Sequence, residues 1–182
     1  PFGFKELEGI HSRTDFDLKA HQEYSGKKIQ YFDPELNESY VPYVIETSIG
    51  LDRTFLAVLS YAYHEEKLED GTERVVLKIP PVLAPYKLAV LPLVAKDGLP
   101  EKAREIFEKL KYNFMCNYEE KDSIGRRYRR QDAIGTPYCI TIDNQTKEDN
   151  TITIRERDTM LQERVDINKI YEIVSEKLNT NI

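Results

Sequence analysis

The chain has 182 residues, a mass of 21.3 kDa, 40% hydrophobic residues and a net charge of −6, ordinary values for a folded chain of one large or two small domains. No apolar run approaches the roughly 20 residues of a membrane span, and the acidic total argues against a general polyanion binder. The charge is uneven, however: residues 1–80 carry all of the −6, while residues 81–182 balance 17 basic against 17 acidic groups. A local basic patch is therefore allowed in the second half. The N-terminus has no signal-peptide layout and reads as the middle of a structural element.

In chain order, the pattern predicts an extended stretch around Glu6 to Ile10 and a helix near Phe16 to Tyr24. A hairpin region follows around Lys28 to Ser48, then a helix from Leu51 to Glu66, a turn at Asp70-Gly71 and a strand over Arg74 to Ile79. Pro80, Pro81 and Pro85 forbid a continuing helix or interior strand, so residues 81–85 read as a stiff linker between residues 1–80 and 86–182. Beyond it come a buried strand over Leu88 to Leu93 and an amphipathic helix from Leu99 to Lys111, apolar at Ala103, Ile106, Phe107 and Leu110. A strand at Phe114 to Cys116, a helix over Ser123 to Ile134 and a strand pair, Tyr138 to Ile142 and Thr151 to Arg155 across a polar turn at 144–150, come next. A helix over Ile167 to Leu178 closes the chain, and the order β-α-β-α-β-β-α implies a mixed sheet covered by helices.

Cys116 and Cys139 are too few for a disulfide scaffold and wrongly spaced for zinc, so they read as buried thiols of a cytoplasmic protein. His11, Asp15, Asp17 and His21 have metal-ligating chemistry, but their position favours a helix start, with Thr14 or Asp15 as cap and Asp17 complementing the dipole. No metal site is expected there.

Two groups of residues carry the functional signal. The first is Glu46-Thr47-Ser48-Ile49-Gly50-Leu51-Asp52-Arg53, where a strand delivers Glu46 and Ser48 to one face, Gly50 permits a tight turn and Arg53 stands in the first turn of a helix. A basic side chain there opposes the helix dipole, which points to a task with an anion. The second is Ile124-Gly125-Arg126-Arg127-Tyr128-Arg129-Arg130-Gln131-Asp132-Ala133-Ile134-Gly135, followed by Thr153-Ile154-Arg155-Glu156-Arg157. Helical spacing puts Arg126 and Arg130 on one face with Arg127 close by, and Arg155 and Arg157 share a strand face. Such guanidinium groups suit phosphates and unpaired bases. The same residues also read more plainly, as a solvated helix with cross-strand ion pairs, a Ser48 helix cap and a Glu46 sheet-face pair.

The first group resembles motif 3 of the class II aminoacyl-tRNA synthetases, in the wording of the glycyl-tRNA synthetases. The second resembles the anticodon-binding domain that these enzymes share with their prolyl, threonyl and histidyl relatives. The resemblance covers essentially the whole chain. It implies an α/β (α+β) fold, with part of the class II antiparallel sheet in residues 1–80 and a mixed-sheet anticodon-binding domain in 86–182. It also implies ATP with Mg²⁺ as cofactors, glycine and tRNA-Gly as partners, no membrane association, and a homodimer in the full-length enzyme. By the same resemblance Arg53 is catalytic, Glu6, Leu7, Gly50 and Arg53 bind ATP, Glu46 and Ser48 bind glycine, and Arg126, Arg127, Arg130, Arg155 and Arg157 bind tRNA. Motifs 1 and 2 of the family would lie upstream of Pro1, so the expectation is a C-terminal portion that does not adenylate glycine unaided. The alternative is a non-catalytic, synthetase-like accessory protein that binds nucleic acid.

Overall fold

The computed structural model describes residues 3–179, in two compact units that divide between Ala57 and Val58. In the first unit, β1 (Glu8–Thr14) pairs antiparallel with β4 (Val44–Ile49), with a bulge between Ser12 and Thr14. Between them lie α1 (Phe16–Ser25), stopped by Gly26 at φ 65°, and a small hairpin of β2 (Tyr31–Asp33) and β3 (Glu38–Tyr40). Asp33 makes that turn by accepting the amide N–H groups of Glu35 and Leu36. At α1, Asp15 holds the cap position but makes no capping bond; its carboxylate pairs with Lys19, while Asp17 pairs with Arg13.

Helix α2 (Leu51–Ala62) stops four residues before the helix expected from sequence. Tyr63–Lys67 instead forms β5, paired from Tyr63↔Leu77 to Lys67↔Glu73 with β6 (Glu73–Leu77) across the Asp70-Gly71 turn. Glu65, Glu66 and Lys67 favour a helix by propensity alone. The ladder and the ion pairs of Glu66 with Arg74 and Lys78 override that preference.

The remainder of the second unit is a five-stranded sheet in the order β11-β10-β9-β7-β8. The strands β7 (Leu88–Pro92), β8 (Cys116–Tyr118) and β9 (Tyr138–Ile142) are parallel, joined by α3 (Leu99–Leu110) and α4 (Ile124–Ile134). Antiparallel β10 (Thr151–Glu156) and β11 (Gln162–Asp166) extend the sheet past β9, and α6 (Ile170–Asn179) follows a 3₁₀ turn at Ile167–Lys169. Alternation along β7 divides the core. Leu88 and Val90 pack with α3 and α6, while Ala89 and Leu91 pack with Ile124 and Tyr128 of α4. The result is the mixed sheet expected, covered by helices on both faces.

Three local features differ from the sequence expectation. The polar 144–150 connection is a short helix, α5 (Asn144–Asp149), because Asp143 and Thr146 form a reciprocal capping box. Strand β11 carries the charged sequence Gln-Glu-Arg-Val-Asp, which has too little apolar alternation to announce a strand; it sits at the sheet edge, where polar side chains are tolerated. The proline-rich segment is packed, with Ile79 and Ala84 buried against Ala62, and Lys87 Nζ donates to the carbonyls of Pro81, Val82 and Ala84.

Asp143 also accepts from Arg164, and that bond, with the capping N–H and hydroxyl of Thr146, holds its pKa below the usual carboxylate value against the opposing effect of burial. Replacing Asp143 by Ala is expected to lower stability by about 1–2 kcal/mol in urea denaturation at pH 7. A depressed folded pKa gives stability that is present above the unfolded value of about 4 and lost as pH falls through the folded one, so variant and wild type converge in acid. Burial pushes the thiols of Cys116 and Cys139 up to about 12. Neither should react with an aromatic disulfide reagent at pH 8 until the chain is unfolded in urea.

Candidate nucleic-acid interface

The five arginines expected at a nucleic-acid surface do not share one environment. Arg127 and Arg157 face inward. The Arg127 guanidinium, 1% exposed, donates to the carbonyls of Pro92 (2.5 Å), Leu93 (3.0 Å) and Glu119 (3.2 Å), which ties the ends of β7 and β8 together. Burial lowers its pKa, and its Nε has no hydrogen-bond acceptor among the described residues. Arg157 donates to the Gly135 carbonyl at 2.9 Å and forks onto the Asp158 carboxylate, with both bonds at 2.8 Å. These two side chains are spent on the frame. The resemblance implied a tRNA contact for both, whereas here α4 turns Arg127 onto the sheet and the Gly135 carbonyl and Asp158 carboxylate hold Arg157.

Arg155 is also buried, yet it lines a cleft. It makes a bidentate bond to Asp132 at 2.8 and 3.0 Å and lies 4.7 Å from the centroid of the Tyr128 ring. Burial would lower its pKa, but the bonds and charge of Asp132 outweigh that and raise it. The bidentate donors that sequence reasoning offered to base edges are occupied by this carboxylate.

The cleft above Arg155 encloses ≈ 700 Å³ and has three walls. Asp70, Thr72 and Glu73 of the β5–β6 hairpin form one wall, and Met160 and Gln162 form another, together with Arg155 itself. The third is α4, which presents Arg126, Tyr128, Arg129 and Arg130. Arg126 is exposed and has no hydrogen-bond or ion-pair partner among the described residues. Arg130 pairs with Glu119 and Asp122, and Arg129 reaches Asp132 at 3.3 Å, each retaining 41% of its side-chain exposure. Arg126 and Arg130 thus share a face as the i, i+4 spacing requires.

Two groups escaped the sequence reading. Asp132 is fully buried and gathers Arg74, Arg129 and Arg155; its only signal was its place inside the basic run, where an acid must face something cationic. Arg74 lies 58 residues away on β6, and no local pattern marks it.

In the first unit, Glu46 and Ser48 share a face of β4, opposite His11 and Gly9 of β1. A Cβ on Gly9 would lie 2.3 Å from His11 Nε2, so the imidazole covers this glycine. Glu46 lies 3.4 Å from Arg13 Nε. Arg53 donates to the Glu6 carbonyl at 2.6 Å and the Gly50 N–H to that of Leu7 at 3.0 Å, which brings the four residues expected at ATP to one place. Gly50 makes the tight turn expected, as the single residue between β4 and α2, and does so without a left-handed backbone.

Residues 87–177 match the family model described as the anticodon binding domain. Among curated proteins the chain is similar to the glycine–tRNA ligase of Chlorobaculum tepidum, 56% identical over 178 residues, covering 98% of this chain and 38% of that protein. It is also similar to the glycine–tRNA ligases of Geobacillus kaustophilus, at 54% identity with the same coverage, and Borrelia hermsii, at 51% identity over 96% of this chain and 40% of that protein. The chain thus spans about two-fifths of the length of these relatives.

Asp132→Ala would leave the buried guanidinium groups of Arg74 and Arg155 without their shared counter-charge. The expected loss is about 3–5 kcal/mol of unfolding free energy by urea titration, since breaking a buried pair from one side strands the other.

Proposed function

The chain belongs, through residues 87–177, to the anticodon-binding domain family, and from that premise we propose that it works as the C-terminal part of a glycine–tRNA ligase, gripping the anticodon loop of tRNA-Gly in the cleft over Arg155. The observation that carries this reading is the set of outward guanidinium groups, Arg126, Arg129 and Arg130, arranged around the Tyr128–Arg155 stack. Outward arginines suit the loop phosphates, and an arginine–aromatic floor suits a base splayed from the stack. Arg127 and Arg157 serve this function by holding the frame.

In this reading residues 1–80 derive from the catalytic domain, 81–85 are the connection, and 86–182 are the anticodon-binding domain. Hairpin β5–β6 falls on the catalytic side of that division, although it packs on α4. The parent enzyme joins glycine to ATP, releasing pyrophosphate and giving glycyl-adenylate, then transfers the glycyl group to the terminal ribose of tRNA. Glu46 would take the glycine ammonium and Ser48 add a hydrogen bond, with selectivity coming from a pocket too tight for a methyl group. Arg53, planar and always charged, would hold the triphosphate where Glu6 and Leu7 flank the nucleotide and Gly50 adds no side chain. Mg²⁺, when bound, would supply further positive charge against the triphosphate. Among the described residues no helix is long and apolar enough to cross a membrane, and a cytoplasmic homodimer is the setting that goes with this activity.

The deciding experiment is equilibrium binding of the chain to tRNA-Gly and to an anticodon-swapped tRNA across a salt series. The reading requires preference for the glycine anticodon. Arg126→Ala and Arg129→Ala should each weaken binding to both tRNAs alike and reduce the salt slope by about 0.7 for each phosphate that is no longer neutralised. Equal affinity for the two tRNAs would leave a nonspecific basic patch and overturn the assignment.

A further inference from the structure

The three walls of the cleft come from distant parts of the chain, and one side chain beneath them bonds to all three. Arg74, 3% exposed, donates from Nε to Glu66 at 2.6 Å, within the hairpin that forms the first wall. Its Nη1 donates to Asp132 of α4 at 3.1 Å and to the Arg157 carbonyl at 2.8 Å; its Nη2 donates to the Asp158 carbonyl at 3.2 Å. Arg157 and Asp158 begin the turn that leads to Met160 and Gln162, the wall beside Arg155. Asp132 in turn holds Arg155 from two oxygens. Gly135, which ends α4 at φ 83°, lets the hairpin approach closely: a Cβ there would lie 3.0 Å from the Leu77 carbonyl.

We propose that Arg74 is a positioning residue for the tRNA cleft, one that sets the spacing of its three walls and the orientation of Arg155 without touching the nucleic acid. This rests on the tRNA-binding reading above. A guanidinium is the group suited to the task, because its planar fork serves acceptors in several directions from one fixed plane, whereas an ammonium is a point charge on a flexible stem. Arg74→Lys keeps the charge beside Glu66 and Asp132 but cannot reach the hairpin, α4 and the 157–158 carbonyls together. Arg126 and Arg129, which would supply phosphate contacts, remain in place in this variant. The clamp therefore affects base discrimination more than electrostatic attraction.

The test compares the full chain with Arg74→Lys and with the milder Glu66→Gln, which loosens the clamp from its solvent-side end. The expected result is a drop of about tenfold in preference for tRNA-Gly over the anticodon-swapped tRNA in Arg74→Lys, with an unchanged salt slope. Glu66→Gln should shift the same ratio in the same direction by about two- to threefold, and it decides the matter if Arg74→Lys does not fold. Hydrogen exchange should accelerate together in residues 63–77, 124–134 and 155–162 of a folded variant. Folded variants with unchanged discrimination, or exchange altered only within 63–77, would overturn the proposal. A wild-type chain with no preference for tRNA-Gly would remove the tRNA reading instead, and the exchange pattern would still decide whether Arg74 joins the walls.

Discussion

Asp132 is the acid on which the second unit is organised. It is fully buried, and it meets two buried guanidinium groups and a third, half-exposed one. A lone carboxylate at that depth would be prohibitively costly, and so would Arg74 or Arg155 without it. The three charges are tolerable only together. Because they come from β6, α4 and β10, satisfying them fixes where those elements stand. Apolar packing alone would let α4 slide on the Ala89, Leu91 and Cys139 surface, whereas directional bonds to fixed oxygens leave it one position.

That constraint decides what the basic run on α4 can do. Six residues from Gly125 to Arg130 include four arginines, yet they divide into frame and surface by helical phase. Arg127 points at the sheet and satisfies the Pro92 and Leu93 carbonyls at the end of β7 and the Glu119 carbonyl just past β8. Arg126, Arg129 and Arg130 point to the cleft. The ends of parallel strands expose carbonyls that the ladder does not satisfy, and a guanidinium serves several of them from one plane. The same chemistry that suits arginine to phosphate thus suits it to closing a fold, and only its surroundings separate the two roles.

The hairpin β5–β6 shows how far such surroundings override local preference. Its first arm is rich in helix formers, and the preceding helix gives no reason to stop at Ala62. The arm becomes a strand because Glu66 then meets Arg74 and Lys78, and because Leu77 and Ile79 come to lie beside Gly135 at the end of α4. The Glu66 pairs close only once the hairpin has formed, and the approach to Gly135 is distant in sequence. The edge strand β11 and the capped helix α5 escaped notice for a milder reason. Their stabilising groups, the Arg164–Asp143 pair and the Asp143–Thr146 box, lie in short polar stretches without a hydrophobic period.

Much was nevertheless legible in the sequence. The continuous apolar runs of β7 and β9, the 3.6-residue period of α3 and the glycine that ends α4 specify local structure through properties of a few neighbouring residues. The two motif stretches pointed to tRNA-linked chemistry through their resemblance to the synthetase motifs; by residue type and spacing alone they read equally well as a solvated helix and a paired sheet face. Which arginines face the cleft was beyond the sequence. Periodicity gives the angle between side chains on a helix but not the direction in which the helix is turned. That direction was settled by the tertiary fold, since a buried charge must find its counter-charge, and those of Arg74 and Arg155 meet at one carboxylate supplied by distant segments of the chain.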